Sequence, residues 1–189
     1  MQYELPSAEI RFLLEKILPL EEVLELPAYQ DCDAETYQAI LTAIGEFATG
    51  TLLPTNIQGD SPGVKLEGGA VKAAPGFKEA YDVFCSAGWN GLPLEVEHGG
   101  QGLPFLLHAT LREAMASANL AFALIHELNF GVYEALMAYG TSEQKSLYLP
   151  KLCSGEWAGT MCLSEPHCGT DLGLIRTSAE PDGAGGYKL

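Results

Sequence analysis

Apolar side chains recur at three- and four-residue intervals through most of this chain, and that period changes only in the last thirty-odd residues. After Ser7, Ile10, Leu13, Leu14 and Ile17 share one helical face, and Pro19 and Pro27 bracket a short second helix. Asp33 is a good N-cap because its carboxylate can accept the free N–H groups of a first turn. From it a helix is expected to about Leu52, carrying Tyr37, Ile40, Leu41, Ile44, Phe47 and Ala48 inward. Residues 53–76 are rich in Gly, Pro, Asn and Asp and predict a long loop with a small hairpin at Gly68 and Gly69. Helix returns from Gly76 to Ala87, with Phe77, Ala80, Tyr81 and Phe84 inward and Gly88 just past its end.

The stretch WNGLPLEVEHGGQGLP predicts an irregular connection, and Pro104 then opens a helix to about Ala118. A second helix is expected from about Leu120 to Tyr139, apolar around most of its circumference and therefore central in a bundle. Ser142 is expected to cap a short helix through Leu149, followed by a turn at about 150–155. Beyond it, EWAGTMCLS has the small, compact apolar character of a buried strand, and LIRTSAEP alternates as a second strand would. PDGAGG then makes a hairpin turn into YKL. The fold expected is mainly α: a helical bundle followed by the first strands of a β-domain. A sheet ending after two strands and a fragment would leave an edge and an apolar face uncovered, so the chain is expected to be part of a longer protein.

The 189 residues fit one large domain or one plus part of a second, and 47% hydrophobic residues suffice for a core. A formal charge of −15 repels phosphate backbones and anionic lipid, which excludes nucleic acid as a partner. The acidic front of the chain reads as a solvated face, or as a docking face for a basic partner. MQYELPSAEI has neither the basic start and apolar run of a signal peptide nor the Arg-rich character of a transit peptide, and no stretch approaches membrane-spanning length. With five cysteines and no C-x-x-C pair, a soluble, cytoplasmic protein with reduced thiols is expected.

Among chemistry-bearing residues, Cys162, His167 and Cys168 lie close together, with Cys153 nearby, but they lack the paired spacing of zinc sites, and no metal is expected. His98, His108 and His126 read as surface or satisfied core histidines. There is no nucleophile elbow and no phosphate-binding loop of the Walker type. The segment SEPHCGTD, residues 164–171, remains. Ser164 and Thr170 offer hydroxyls, Gly169 lets backbone approach a ligand, and Glu165 and Asp171 can hold the loop by accepting N–H bonds. On spacing alone it reads rather as an ordinary strand–turn–strand connection, since turn residues are common at such places.

MCLSEPHCGTD, with TSA at 177–179, resembles the signature of the acyl-CoA dehydrogenase family, a hydrophobic stretch followed by T-E-P-x-A-G-S-D and a T-x-A element. AGWNGLPLEVEHGGQGLP and YGTSEQKSLYLPKLCSGEWAG resemble, in order, two upstream family segments, so the resemblance covers about residues 33–189. It implies an N-terminal helical domain at 33–155 and the start of a β-barrel-like middle domain at 156–189. Residues 1–32 resemble the extension of larger branches, which include long-chain-type and methylmercaptopropionyl-CoA dehydrogenases.

The resemblance further implies FAD as cofactor, an acyl-CoA substrate dehydrogenated across its α,β carbons, an electron-transferring flavoprotein as acceptor, and a homo-dimer or homo-tetramer. Met161, Leu163, Ser164, Gly169 and Thr170 match the flavin-contacting segment, and Thr170 the residue that also meets the substrate. Leu124, Glu127 and Leu128, with Gly131, align with the helix lining the acyl cavity. The resemblance places the catalytic base in a C-terminal domain, so no catalytic residue is expected in this chain. Ser164 stands where the family has threonine, Thr170 where it has serine, and His167 and Cys168 replace a small pair. An acyl-CoA oxidase of the same fold and a non-catalytic helical interaction module are the alternative readings.

Overall fold

The computed structural model describes residues 3–189. Seven helices carry the fold: α1 (Ser7–Phe12), α2 (Leu20–Leu24), α3 (Ala34–Glu46), α4 (Leu53–Asp60), α5 (Phe77–Ser86), α6 (Phe105–Tyr139) and α7 (Ser142–Ser154). Two small antiparallel hairpins complete it: β1 (Lys65–Glu67) with β2 (Ala70–Lys72), and β3 (Glu180–Pro181) with β4 (Tyr187–Lys188). The protein is mainly α, as the sequence predicts.

Asp33 caps α3 as expected, accepting from Thr36 N at 2.8 Å. The helix does not stop at Leu52. It widens into a π turn over Phe47–Leu52 and continues as α4, with Pro54 in the first turn, where its missing N–H costs no hydrogen bond. Proline read as loop was the source of that error, and the loop begins only after Asp60. The hairpin does form at Gly68 and Gly69, whose φ values of 59° and 80° are the positive angles a two-residue turn needs.

The predicted face of α1 is half right. Ile10 and Leu14 are buried, whereas Leu13 and Ile17 are exposed, because the chain winds into a π turn at Leu13–Ile17 and the face rotates away from the core. The cap of α7 is Thr141 rather than Ser142. Its hydroxyl accepts from Gln144 N while Gln144 Oε1 accepts from Thr141 N, a reciprocal capping box. The helix also runs past Leu149 to Ser154, carrying Pro150 inside it, and Gly155 at φ 78° ends it.

α6 lies at the centre, packed against α3, α4, α7 and the π turn between α3 and α4. The sequence predicts two helices meeting near residue 119, and Asn119 is the break, with φ −157° and ψ 93°. Its Oδ1 accepts from Phe122 N and so caps the second half. Its Nδ2 donates to Thr55 Oγ1 at 2.8 Å, and Thr55 in turn donates to Leu52 O. One buried polar residue thereby joins the kink to α4. Below it, Phe47, Phe77, Tyr81, Phe84 and Phe122 form a cluster of rings at the heart of the main core.

The C-terminal segment differs most from expectation. Residues 158–164 form neither helix nor strand, and Met161 and Leu163 are exposed. A compact apolar run becomes a buried strand only against a neighbouring strand, and none lies beside it among the described residues. Of LIRTSAEP, Leu174 ends a 3-10 turn over Leu172–Leu174, and only Glu180–Pro181 pair with another strand among the described residues.

Candidate flavin loop and acyl groove

SEPHCGTD is a built loop. Glu165 N donates to Cys168 O at 2.8 Å and Cys168 N to Glu165 O at 3.1 Å, which closes a tight turn over Pro166 and His167. The Glu165 carboxylate then reaches across to accept from Arg176 N, Thr177 N (2.8 Å) and the Thr177 hydroxyl. Those hydrogen bonds, the Thr177 hydroxyl first among them, hold its pKa below the usual carboxylate range. Asp171 accepts from Gly173 N at 3.1 Å, so both acids staple the loop in the way the sequence suggests.

Ser164 lies against Gly169, where an added Cβ would stand 3.3 Å from Ser164 Oγ. Met161, Leu163, Ser164 and Thr170 are exposed and Gly169 half-buried. Among the described residues, the backbone N–H and C=O groups of 160–164 make no hydrogen bonds within the chain. Backbone donors in this condition must be met by water or by a ligand.

The acyl-side residues divide. Leu124 and Glu127 line an apolar surface groove of about 510 Å³ across the kink of α6, with Ala109, Arg112, Ala116 and Leu120. Glu127 accepts a charge-assisted hydrogen bond from Arg112 Nε, which answers why an acid sits on an apolar helix. Leu128 is half-buried and lies outside the groove; its carbonyl backs onto Gly159. A cleft of about 620 Å³ between α3 and the Trp89–Gln101 connection contains none of the predicted residues.

Asn129, which the sequence reading did not single out, ties the two regions together. Its Nδ2 donates to Leu152 O at 2.9 Å at the end of α7, and its Oδ1 accepts from Gly159 N at 2.9 Å, in the segment that leads to the loop. A polar residue at a central position of an apolar helix was the available signal. Gly159 tolerates nothing larger, since a Cβ there would lie 2.7 Å from Val132 Cγ2. Replacing Asn129 by Ala is expected to destabilise the chain by about 1–3 kcal/mol, because the buried Gly159 N–H loses its acceptor. Urea unfolding measures that cost, and hydrogen exchange at Gly159 should accelerate with it.

His126 and His108 form a second buried polar chain. His126 Nδ1 lies 3.1 Å from Asn90 Oδ1, and His126 Nε2 lies 3.3 Å from His108 Nδ1. Asn90 Nδ2 donates to Leu152 O, which orients its Oδ1 toward the imidazole. His126 is a satisfied core histidine, whereas His108 Nε2 has no partner. Burial, and then the Arg112 charge, push His108 down to about 4; burial, then His108 and Arg112, push His126 down to about 3.

Residues 34–156 match the model of the acyl-CoA dehydrogenase N-terminal domain. The chain belongs to the acyl-CoA dehydrogenase family. It is 37% identical over its whole length to 3-methylmercaptopropionyl-CoA dehydrogenase of Ruegeria pomeroyi, of which it covers 32%. Against a butyryl-CoA dehydrogenase of Syntrophomonas wolfei it is 31% identical over 96% of the chain and 30% of the relative. The solved butyryl-CoA dehydrogenase of Megasphaera elsdenii superposes with a TM-score of 0.66 at 26% identity, over 80% of this chain and 38% of that one. The chain thus spans about a third of the length of these curated relatives. None of the described helices is long and apolar enough to cross a membrane.

Proposed function

We propose that the chain supplies the N-terminal helical part, and one wall of the flavin site, of an FAD-dependent acyl-CoA dehydrogenase. The observation that carries this reading is the exposed 160–164 segment, whose backbone polar groups have no hydrogen-bond partners among the described residues, beside a loop locked by Glu165. Such a row of donors and acceptors fits the polar edge of an isoalloxazine ring. In this role the backbone of Met161 and Leu163 and the N–H and hydroxyl of Ser164 bond that edge, and donors placed there favour negative charge on it. Bound flavin supplies the hydride acceptor for the β carbon. Gly169 permits close approach, and Thr170 hydrogen-bonds where cofactor and acyl-CoA meet. Leu124 and Glu127 border the acyl chain in the groove, with Leu128 packing behind the segment. Electron-transferring flavoprotein is the proposed acceptor, and the acting species a homo-oligomer.

The test is anaerobic addition of an acyl-CoA to the protein carrying this chain at the length of its relatives, reconstituted with FAD. Bleaching of the flavin absorbance is expected, and an unbleached flavin with every saturated acyl-CoA tried would sink the reading. Turnover with ferricenium against oxygen separates dehydrogenase from oxidase, since rapid peroxide formation assigns the latter. Thr170→Ala is expected to weaken acyl-CoA or FAD binding by up to about tenfold, the equivalent of one lost hydrogen bond. Unchanged flavin content and KM would remove Thr170 from the site.

A further inference from the structure

The turn that closes SEPHCGTD does something its sequence spacing conceals. Residues paired across a narrow antiparallel bridge project their side chains to the same face, and the two backbone hydrogen bonds between Glu165 and Cys168 make them such a pair. His167, between them, joins that face. One ligand atom from each of the three side chains, a carboxylate oxygen, an imidazole nitrogen and a thiol sulfur, lies within 4.8 Å of the other two. The pattern rule that argued against metal looks for paired thiols, and here the backbone bridge brings together three different donors from four consecutive residues.

The surroundings of Glu165 are those of a metal ligand. Ligating carboxylates and imidazoles are normally themselves held by hydrogen bonds that fix their orientation. Glu165 is held by three groups of residues 176 and 177, with the shortest bonds on Oε1. Oε2 takes only Arg176 N, at 3.1 Å, and faces His167 Nε2 at 3.5 Å. A carboxylate has about four lone-pair sites on its two oxygens, so capacity for a cation remains. His167 Nε2 lies 2.9 Å from Leu174 O. A carbonyl only accepts, so without an ion this nitrogen donates to Leu174, and an ion seated beside Glu165 Oε2 takes the nitrogen's lone pair in place of that hydrogen bond. Glu165 and Cys168 are half-buried and His167 is exposed, which gives an ion a route in.

We propose that Glu165, His167 and Cys168 form a mononuclear site for a divalent ion of the Zn²⁺ class, with the remaining coordination position open to water. One oxygen, one nitrogen and one sulfur donor suit a borderline ion; they do not suit Mg²⁺ or Ca²⁺, which take oxygen ligands almost alone. The proposal uses side chains of 165, 167 and 168, whereas the flavin reading uses the backbone of 161–164 with Ser164, Gly169 and Thr170. Either can fail without the other.

The experiment titrates the purified, reduced 189-residue chain, free of flavin, with Co²⁺ as a spectroscopic stand-in, followed by competition with Zn²⁺. One Co²⁺ per chain is expected, with thiolate-to-metal charge-transfer absorption that Zn²⁺ abolishes. Cys168→Ser should remove that absorption, and His167→Ala should weaken binding at least tenfold. Cys162→Ser, on the exposed neighbouring segment, should change neither. Thermal melts of each variant confirm folding, and His167→Ala alone decides the matter if Cys168→Ser does not fold. Absence of saturable binding, absorption that survives Cys168→Ser, affinity unmoved by His167→Ala, or absorption lost with Cys162→Ser would each overturn the site.

Discussion

Lowering the pH from 7 to 5 is expected to cost this chain about 4 kcal/mol of stability, about 2 kcal/mol for each of His108 and His126. Both rings are held neutral in the fold, with pKa values pushed to about 4 and about 3, against about 6.5 in the unfolded chain. The direction follows from proton counting. Below pH 6.5 the unfolded chain takes up two protons that the folded chain refuses, so acid favours unfolding until the folded-state pKa values are reached. Above pH 7 neither state binds these protons, and the contribution is flat. The carboxylates whose pKa is lowered by hydrogen bonds, such as Asp33 and Glu143, act in the same direction but at lower pH, since their unfolded values lie near 4. Across the window from pH 6.5 to 5 the histidines set the fall, with Glu134, whose pKa burial raises, acting in the opposite direction. Urea midpoints measured across that window should fall steeply, and His126→Gln or His108→Gln should roughly halve the slope. A slope indifferent to both substitutions would show that the rings are not held neutral. Against a typical total of 5–15 kcal/mol, the effect is large enough to unfold a marginal chain.

Those two histidines also show where sequence reasoning stopped. Periodicity located most helices because a buried stripe repeats at 3.6 residues wherever a helix packs. Asn119 betrayed the kink by interrupting an apolar run with a residue suited to capping. The positions that failed were decided by partners distant in sequence. Pro54 reads as a loop signal locally, yet it sits in the first turn of α4, where proline is harmless. EWAGTMCLS reads as a buried strand from composition, but burial depends on a neighbouring strand that the pattern cannot supply. His126 lies 36 residues from Asn90, and Asn129 lies 30 from Gly159, so neither contact leaves a mark on local spacing. For the loop at 164–171 the local chemistry was legible, down to Glu165 and Asp171 as staples. The flavin role proposed for it rests on the ordered family motifs, and the convergence of Glu165, His167 and Cys168 needed the backbone bridge to be seen.

Replacing Phe122 by Ala is expected to destabilise the fold by about 3–5 kcal/mol. Phe122 is 1% exposed, and four rings surround it, those of Phe47, Phe77, Tyr81 and Phe84, with centroids 5.8 to 6.4 Å away. The cost of such a deletion depends on whether neighbours can collapse into the space. Here they come from two elements, Phe47 from the π turn after α3 and Phe77, Tyr81 and Phe84 from helix α5. Asn119 and Thr55 fix the kink, and Tyr81 donates to Gly155 O at 2.9 Å. A shift of Tyr81 into the cavity would break its hydrogen bond, and a shift of the kink would break those of Asn119 and Thr55, so most of the cavity should persist. The comparison that isolates this effect is Phe12→Ala, since Phe12 is 58% exposed and its loss should cost under about 1 kcal/mol. Urea unfolding at pH 7.5, where the histidines contribute no slope, reads both variants on the same scale. A Phe122→Ala penalty as small as that of Phe12→Ala would mean that the ring cluster is loosely packed and does not anchor the kink in α6. The effect should also reach the groove: Leu120, Ala123 and Leu124 follow directly from the capped turn that Phe122 holds. Hydrogen exchange in the second half of α6 should therefore rise in Phe122→Ala more than in the first half, because only the second half depends on Asn119 for its first turn.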